Sequence, residues 1–487
     1  MMKYHFDINS DTKKFEPYYL KCICAGRAHE GLRANWQKQL RTVQDEIGFE
    51  YIRFHGIFND EMAIYREDEN GIPQFFWQYF DELFDFLQEV KLKPIFELSF
   101  MPKVISTKPH TLFWWKGNAC PPTDYDKWAQ LVKATVIHCA ERYGADSVLE
   151  WKWEVWNEPN LDSFWTGTQA EYFRLYEVTA RAIKGVDERF AVGGPSSSGA
   201  DFREDLHYLR AFMDFCSEKK LPVDFVSAHP YPTYWPLDMN GNEKMGYMRK
   251  SCNIEQLDLI KNVVANSTYP NAEIHLTEYN TSPSPRDLIH DTLFPAAFLL
   301  YNLTQNIGKV DSLGFWTFTD IFEENGPGES QFHGGFGLMN VLGIRKPSYF
   351  AYQFLADMGN ELVYKDENCF VTKKDKKLHI LLWNYCYYTD EFARGDRSGL
   401  SLHSRDDVFE NKELKVNVSI ANAKAIKAYK LGRDNGSALH NWLKMGAPES
   451  PTKKQAFELI SKSVPNEIEF TNPLTLLSNE VIYIIAE

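Results

Sequence analysis

The chain of 487 residues lacks any long apolar run. Its most apolar long stretch, residues 293–303, is too short for a transmembrane helix, which needs about 20 residues. Residues 1–19 are polar and charged, and they lack the apolar segment of a secretory signal. These absences predict a cytoplasmic protein without a membrane partner.

The chain also has fewer positive than negative residues: 53 Lys and Arg against 67 Asp and Glu, which gives a net charge of −14. No basic run with interleaved aromatic residues occurs, which argues against a nucleic-acid partner. Neither His-x-x-x-His nor Cys-x-x-Cys spacing indicates a metal site. A glycine-rich phosphate loop and a serine nucleophile elbow are missing as well. We expect neither a metal nor a cofactor.

The eight cysteines show no spacing typical of a small disulfide-bonded scaffold. Buried free thiols in a reducing compartment are the simpler interpretation. They agree with the predicted cytoplasmic location.

Aromatic residues, by contrast, make up 15% of the chain. Many such rings pack in the core, but sugars also stack their apolar C–H faces on aromatic rings. The composition therefore permits a sugar ligand without requiring one.

Short apolar runs alternate with longer amphipathic stretches over about the first 340 residues, which is typical of parallel β/α units. Eight strands are predicted, at residues 19–25, 51–55, 94–99, 151–156, 191–194, 225–229, 273–278 and 312–318. Helices are predicted between them, for example at 75–90 and 125–143. The first of these should turn Phe76, Phe80, Leu83, Leu87 and Val90 towards the barrel.

Polar or aromatic residues end nearly every predicted strand, namely His55, Glu97, Asn157, Glu158, His229, Glu278 and Trp316. Catalytic residues of a (β/α)₈ barrel gather at this end of the strands. A doubly wound open sheet would place fewer polar residues there. The sequence therefore predicts an α/β fold with a (β/α)₈ TIM barrel over residues 16–342.

The pattern changes after residue 342. Short strands are predicted at 361–364, 378–384, 414–420, 425–431 and 481–486, separated by charged, turn-rich pieces. This alternation predicts a C-terminal β-sandwich accessory domain over residues 343–487. Residues 1–15 are expected to contribute a strand to it.

The strongest local signal is Trp-Glu-Val-Trp-Asn-Glu-Pro-Asn at residues 153–160, which places Asn157 and Glu158 at the end of a strand. Glycosidic cleavage needs two carboxyls, one of which protonates the departing oxygen. The neighbouring Trp and Val residues supply the desolvation that raises the pKa of such an acid. A helix cap or a salt-bridged glutamate explains this turn equally well on its own.

Glu278 ends a second strand in the same way. A closed barrel brings the ends of its fourth and seventh strands towards each other across its mouth. Two carboxyls about 5 Å apart allow direct attack on the anomeric carbon, whereas a gap of about 6.5–9.5 Å admits a water and inverts the configuration. The sequence leaves this choice open.

Dense motif matches run from about residue 24 to residue 347, in the segments 51–58, 96–102, 154–160, 229–232, 276–280 and 333–338. On these segments the chain resembles glycoside hydrolase family 39, most of all its bacterial β-xylosidases. The resemblance implies a retaining, exo-acting enzyme that releases β-linked xylose from the non-reducing end of xylooligosaccharides. It also implies a homo-oligomer, with a tetramer as the expected form.

The resemblance assigns roles position by position. Glu158 corresponds to the acid/base and Glu278 to the nucleophile. Substrate-binding positions are His55, Asn157, His229, Tyr231, Trp316, Glu323 and Glu324, and supporting positions are Arg53 and His333. Tyr231 and Arg53 are expected to keep Glu278 ionised.

Several of these positions have structural alternatives. His229 suits a hydrogen-bonded core histidine, and Trp316 suits ordinary barrel packing. Glu97 is expected behind the site, paired with an arginine or a histidine. Trp114 and Trp115 follow the third strand and either line the pocket or pack in the core.

Three other functions stay open. An activity like that of α-L-iduronidase would need a cation for the sugar carboxylate, and only Arg53 stands out in the pocket motifs. An arabinose- or glucose-active enzyme would use the same carboxyl pair. A non-catalytic sugar-binding barrel would need neither carboxylate.

Overall fold

The computed structural model describes residues 1–108, 110–235, 244–401 and 403–487. Eight parallel strands close into a barrel in chain order. We label them β1 Cys22–Arg27, β2 Tyr51–His55, β3 Lys93–Leu98, β4 Lys152–Val155, β5 Ala191–Ser197, β6 Phe225–Ala228, β7 Glu273–Tyr279 and β8 Ser312–Phe315. The predicted TIM barrel is confirmed.

Helices follow the strands, as the alternating sequence pattern predicts. Those of seven residues or more in this part of the chain are Ala34–Glu46, Gln78–Glu89, Tyr125–Tyr143, Gln169–Lys184, His207–Glu218, Cys252–Ala265, Phe294–Gln305 and Pro347–Asp357. Tyr125–Tyr143 has the predicted bounds because both of its ends are encoded locally. Asp124 caps its first backbone N–H groups, and Gly144, with φ at +87°, ends it.

The helix predicted at 75–90 is shorter, Gln78–Glu89. Phe80, Leu83 and Leu87 are buried as predicted. The prediction for Phe76 is wrong, because this residue precedes the helix and its side chain is 46% exposed.

Of the eight barrel strands, only β2 has both predicted bounds, and the largest differences are at the start of β1 and at the ends of β5 and β8. β1 starts at Cys22 because residues Tyr18–Leu20 form a 3₁₀ turn directly after Pro17. β8 ends at Phe315, so that Trp316 lies just beyond the strand.

Two further sheets use both ends of the chain. One has seven strands, in the order Lys13–Lys14, Glu361–Lys365, Cys369–Lys374, Lys377–Trp383, Val481–Ala486, Ile426–Leu431 and Asn466–Ile468. The other has three, in the order Met2–Asp7, Leu414–Ala421 and Leu474–Leu476. Apolar residues of both sheets share one core cluster. The N-terminal residues thus supply a strand to each sheet, while the predicted domain bounds stay a prediction.

The helix Pro347–Asp357 follows β8 and closes the ring of helices, although it lies beyond residue 342. Its Tyr352 ring packs 5.6 Å from Phe315 of β8. Further along the chain, Phe409 stacks on Phe294 with ring centroids 4.7 Å apart. The core therefore continues from the barrel into the C-terminal residues.

Smaller elements complete the described chain. The short helices are Ala145–Val148, Gly199–Arg203, Asp390–Ala393, Ala438–Lys444 and Lys453–Lys462, and the remaining 3₁₀ turns are Ala28–Leu32, Asp60–Met62, Lys103–Ile105 and Leu288–Asp291. Hairpins pair Tyr65–Glu67 with Pro73–Phe75, Thr111–Leu112 with Gly117–Asn118, and Thr233–Tyr234 with Gly246–Tyr247. All eight cysteines are buried and free. Among the described residues, no helix has the length and apolar character needed to span a membrane.

Candidate active site

A cavity of about 280 Å³ opens at the carboxyl end of the barrel strands. It is lined by His55, Phe113, Glu158, Leu161, Phe164, Ser198, Gly199, Ala200, Arg203, Tyr231, Thr233, Trp235, Glu278, Pro283, Trp316 and Glu324. This is the end at which barrel enzymes carry their active sites.

Glu158 follows β4 in a sharp turn, with φ at +44°. A non-glycine residue in this region is uncommon and often marks a functional site. Its backbone N–H donates to Ser196 O at 2.9 Å, which ties the turn to β5. Burial, together with the negative charge of Glu278, raises the pKa of the Glu158 carboxyl well above its usual range. Such a carboxyl keeps its proton near neutral pH and can act as an acid.

Glu278 lies near the end of β7 and meets two donors. Arg53 Nη1 donates to its Oε1 at 2.6 Å, and the Tyr231 hydroxyl donates to its Oε2 at 2.9 Å. Burial raises the pKa of Glu278, and Arg53, His55 and Tyr231 oppose that rise. These three neighbours favour the ionised form of Glu278.

The two carboxylates are close enough to act on one atom. One oxygen of Glu158, one of Glu278 and a ring nitrogen of His229 lie within 4.8 Å of one another. Direct attack in retaining enzymes uses carboxyls about 5–5.5 Å apart, and an intervening water needs more room. These three residues also form a donor set for a metal, but the Arg53 guanidinium against Glu278 opposes the binding of a cation.

Arg53 lies on β2, and its side chain is fully buried. Besides Glu278 it binds Glu154 through Nε at 2.8 Å and Glu97 through Nη2 at 2.7 Å. Nη2 also donates to Asn157 Oδ1 at 2.7 Å. Sequence reasoning expects Glu97 in such a pair but overlooks Glu154. The available signal was a carboxylate within an apolar strand, because a buried charge needs a partner.

Asn157 is oriented by Arg53. Its Oδ1 accepts the guanidinium, which leaves its buried Nδ2 without a hydrogen-bond partner among the described residues. Buried donors are nearly always satisfied. Asn157 is absent from the residues that line the cavity, so the structure does not place this predicted substrate-binding side chain on the cavity wall.

His55 and Trp316 form one wall of the pocket. His55 Nδ1 contacts Glu97 Oε2 at 2.7 Å, and its Nε2 lies 3.7 Å from Glu278 Oε1. The His55 ring lies 4.7 Å from the Trp316 ring. Since Trp316 lines the cavity, its ring can serve as a platform for a sugar face.

His229 lies beneath the carboxyl pair and is completely buried. Its Nδ1 is 2.7 Å from Glu158 Oε1, and its Nε2 is 3.0 Å from Ser196 Oγ. Burial and the charge of Arg53 lower the pKa of His229 well below its usual range. The ring is thus neutral and adds no positive charge beside Glu158.

Glu324 reaches the cavity, but the structure does not bring Glu323 or His333 there. The Glu323 carboxylate accepts hydrogen bonds from Nη1 and Nη2 of Arg33, at 2.7 and 2.8 Å, and does not line the cavity. His333 Nδ1 contacts Ser330 O at 2.8 Å. Burial and neighbouring carboxylates, Glu278 first among them, raise the pKa of Glu324.

The aromatic loop after β3 supplies Phe113 to the cavity, and not its neighbours. Trp114 is 59% exposed, whereas Trp115 is 9% exposed and packs near Arg27. Sequence reasoning also missed Phe164, which belongs to an irregular loop with no periodic signal.

Comparisons with known proteins agree with this geometry. The sequence profile described as "Glycosyl hydrolases family 39" matches residues 2–474. A beta-xylosidase of Geobacillus stearothermophilus is 36% identical over 94% of this chain and 88% of its own length. A beta-xylosidase of Caldicellulosiruptor saccharolyticus is 35% identical over 99% of this chain and 98% of its own.

Solved structures give the same result. The crystal structure of a monomeric beta-xylosidase from Caulobacter crescentus CB15 superposes with a TM-score of 0.89 and 30% identity. It covers 100% of this chain and 99% of the other. On the profile match, the sequence identities and the shared fold together, this chain belongs to glycosyl hydrolase family 39.

Proposed function

We propose that the protein releases β-linked xylose from the non-reducing end of xylooligosaccharides, with retention of configuration. The observation that carries this proposal is the pair Glu158 and Glu278, with oxygens within 4.8 Å of each other and different charge environments. The sugar comes from the two full-length relatives that are named beta-xylosidases.

In the first step, Glu278 attacks the anomeric carbon while Glu158 gives its proton to the departing glycosidic oxygen. Arg53 and Tyr231 favour the ionised form of Glu278, which the attack requires. The C–O bond to the leaving group breaks as the bond to Glu278 forms, and a glycosyl-enzyme results.

In the second step, Glu158 is a carboxylate and takes a proton from a water molecule. The water oxygen attacks the anomeric carbon and releases Glu278. Two inversions give net retention. Loss of the Glu278 charge in the intermediate lowers the pKa of Glu158, because that charge is one of the causes that raise it.

The pocket suits a terminal sugar. Its volume, about 280 Å³, is near the lower end of the ~300–1,000 Å³ of typical ligand sites. A space of this size holds one or two sugar rings and not a long chain, which favours exo action. The side chains of His55 and Glu324, which line the cavity, provide polar contacts for the sugar hydroxyls.

A uronic acid at the deep end of the pocket fits less well. The cation there is Arg53, and its three nitrogens are already committed to Glu154, Glu278, Glu97 and Asn157. A further negative charge beside Glu278 would be repelled. A purely sugar-binding protein would have no need for two acidic groups this close together.

A panel of aryl glycosides tests the proposal, followed by NMR of the first anomer formed. We expect the β-xyloside to be cleaved fastest and β-xylose to appear first. An α-anomer as first product, or preference for another sugar, would refute the mechanism or the substrate respectively. Glu278→Ala should abolish turnover while its circular dichroism spectrum and melting temperature stay near those of the wild type.

Two further expectations stay predictions. One is the cytoplasmic location and the other is assembly into a homo-oligomer such as a tetramer. The Caulobacter relative is described as monomeric. Light scattering of the purified protein decides the second point.

A further inference from the structure

The rim of the cavity carries a cation and an exposed aromatic ring. Arg203 ends the short helix Gly199–Arg203, and Trp235 follows the strand Thr233–Tyr234. The guanidinium carbon lies 5.8 Å from the centroid of the Trp235 ring. Trp235 is 44% exposed, whereas Glu158 and Glu278 are 8% and 6% exposed. Arg203 and Trp235 therefore mark the outer end of the pocket.

In the proposed reaction, the leaving group lies beside this rim of the cavity. The terminal sugar occupies the deep end beside Glu278, so the rest of the substrate extends outwards past Glu158. Asn160, just after Glu158, bonds to Ser198 through both its amide oxygen and its amide nitrogen, each at 2.9 Å. The turn that holds the acid/base is thereby joined to the loop that leads to Arg203.

Arg203 has hydrogen-bonding capacity to spare. Its Nη1 donates to Thr233 O at 3.1 Å and to Gly199 O at 3.4 Å. Within the described ranges, its Nε and Nη2 have no protein acceptor and no carboxylate forms a salt bridge with it. Burial lowers the pKa of Arg203, which is typical of a cation without a close counter-charge. It is also the only Arg or Lys among the described residues that line the cavity.

We propose that the leaving-group side of the pocket recognises a carboxylate, such as a uronic acid substituent on the departing part of the oligosaccharide. The proposal rests on the proposed function, since it requires Glu158 to face the leaving group. A guanidinium fork pairs with a carboxylate through two parallel hydrogen bonds. The Trp235 ring offers an apolar face to the sugar that bears this group. The selectivity is distinct from that of the deep end, where Arg53 is already paired.

Two substrates that differ in the charge of the leaving group test this proposal: 3-carboxyphenyl β-xyloside, which carries a carboxylate, and the neutral 3-carbamoylphenyl β-xyloside. For the wild type and for R203Q, R203K and R210Q, the kcat/KM of the carboxylated substrate is divided by that of the neutral one. Arg210 is the matched control because it is an exposed arginine on the next helix, paired with Asp205 and absent from the cavity lining. Differences in intrinsic reactivity cancel when each variant's ratio is divided by that of the wild type.

We expect R203Q to lower the ratio about fivefold, which corresponds to about 1 kcal/mol. R203K should keep part of the preference, since it retains the charge without the fork, and R210Q should keep all of it. Raising the salt concentration from 0.02 to 1 M, chosen to shorten the screening length to about 3 Å, should weaken the wild-type preference.

An unchanged ratio in R203Q, or an equal fall in R210Q, would overturn the inference while leaving the xylosidase intact. A wild-type enzyme that cleaves neither xyloside would instead overturn the proposed function, and the inference with it.

Discussion

Replacing Tyr231 by phenylalanine removes one hydrogen bond and keeps the ring. The Tyr231 hydroxyl donates to Glu278 Oε2 at 2.9 Å, and both residues are buried. A hydrogen bond to the ionised form of a carboxyl lowers its pKa, so removing this bond raises the pKa of Glu278. The attacking carboxylate is then protonated at a higher pH than in the wild type.

The size of the shift follows from the energy of the bond. A hydrogen bond to a charged group contributes about 1.5–3 kcal/mol, and about 1.4 kcal/mol corresponds to one pKa unit. Arg53 stays in place at 2.6 Å and limits the effect. We therefore expect the acidic limb of the kcat/KM profile to move up by about 1–2 pH units.

The assay is kcat/KM for an aryl β-xyloside between pH 3 and pH 9. Because Glu158 and Glu278 titrate together, the limb reports an apparent pKa of the pair. Tyr352→Phe is the control, since the Tyr352 hydroxyl is buried without a hydrogen-bond partner in the described structure. Its limb should coincide with that of the wild type. Coincidence of the Tyr231→Phe limb as well would show that this bond does not set the charge of Glu278.

Two more substitutions test the site. Glu158→Gln removes the proposed acid, so we expect kcat/KM for substrates with unactivated leaving groups to fall by a factor of about 10²–10⁴. The loss should be clearly smaller for a dinitrophenyl xyloside, because its leaving group departs without being protonated. Equal losses for the two kinds of substrate would argue against Glu158 as the acid. Arg53→Met leaves Glu97 and Glu154 buried without their cation, so we expect unfolding in urea to show a loss of about 3–5 kcal/mol. An unchanged stability would mean that these carboxyls hold protons in the native state.

The sequence was sufficient where the chemistry and the local pattern coincide. Glu158 lies shortly after β4 and Glu278 near the end of β7, and the carboxyl ends of the strands of a barrel lie at one rim. The helix Tyr125–Tyr143 was predictable because Asp124 and Gly144 mark its ends.

Loop residues were harder to place. Glu323 and Glu324 are adjacent, yet one binds Arg33 and the other lines the cavity. No periodicity distinguishes them, because a loop has no fixed repeat of side-chain directions. Arg203 and Trp235 were missed as well, because the elements that carry them are too short to show a periodic pattern. Arg203 ends a short helix after β5, Trp235 follows a short strand after β6, and only the fold brings them to one rim.

The charge distribution around Arg53 supports the proposal that Glu158 is the acid. One guanidinium forms salt bridges with Glu97, Glu154 and Glu278, and its charge favours the ionised forms of Glu97 and Glu278. Glu158 lies outside this group and contacts a neutral histidine instead. Two ionised carboxylates so close together in a buried site would repel each other, so one proton is retained. Glu158, which forms no salt bridge with Arg53, is the carboxyl that we propose to hold this proton, and this supports its proposed role as the acid/base and that of Glu278 as the nucleophile.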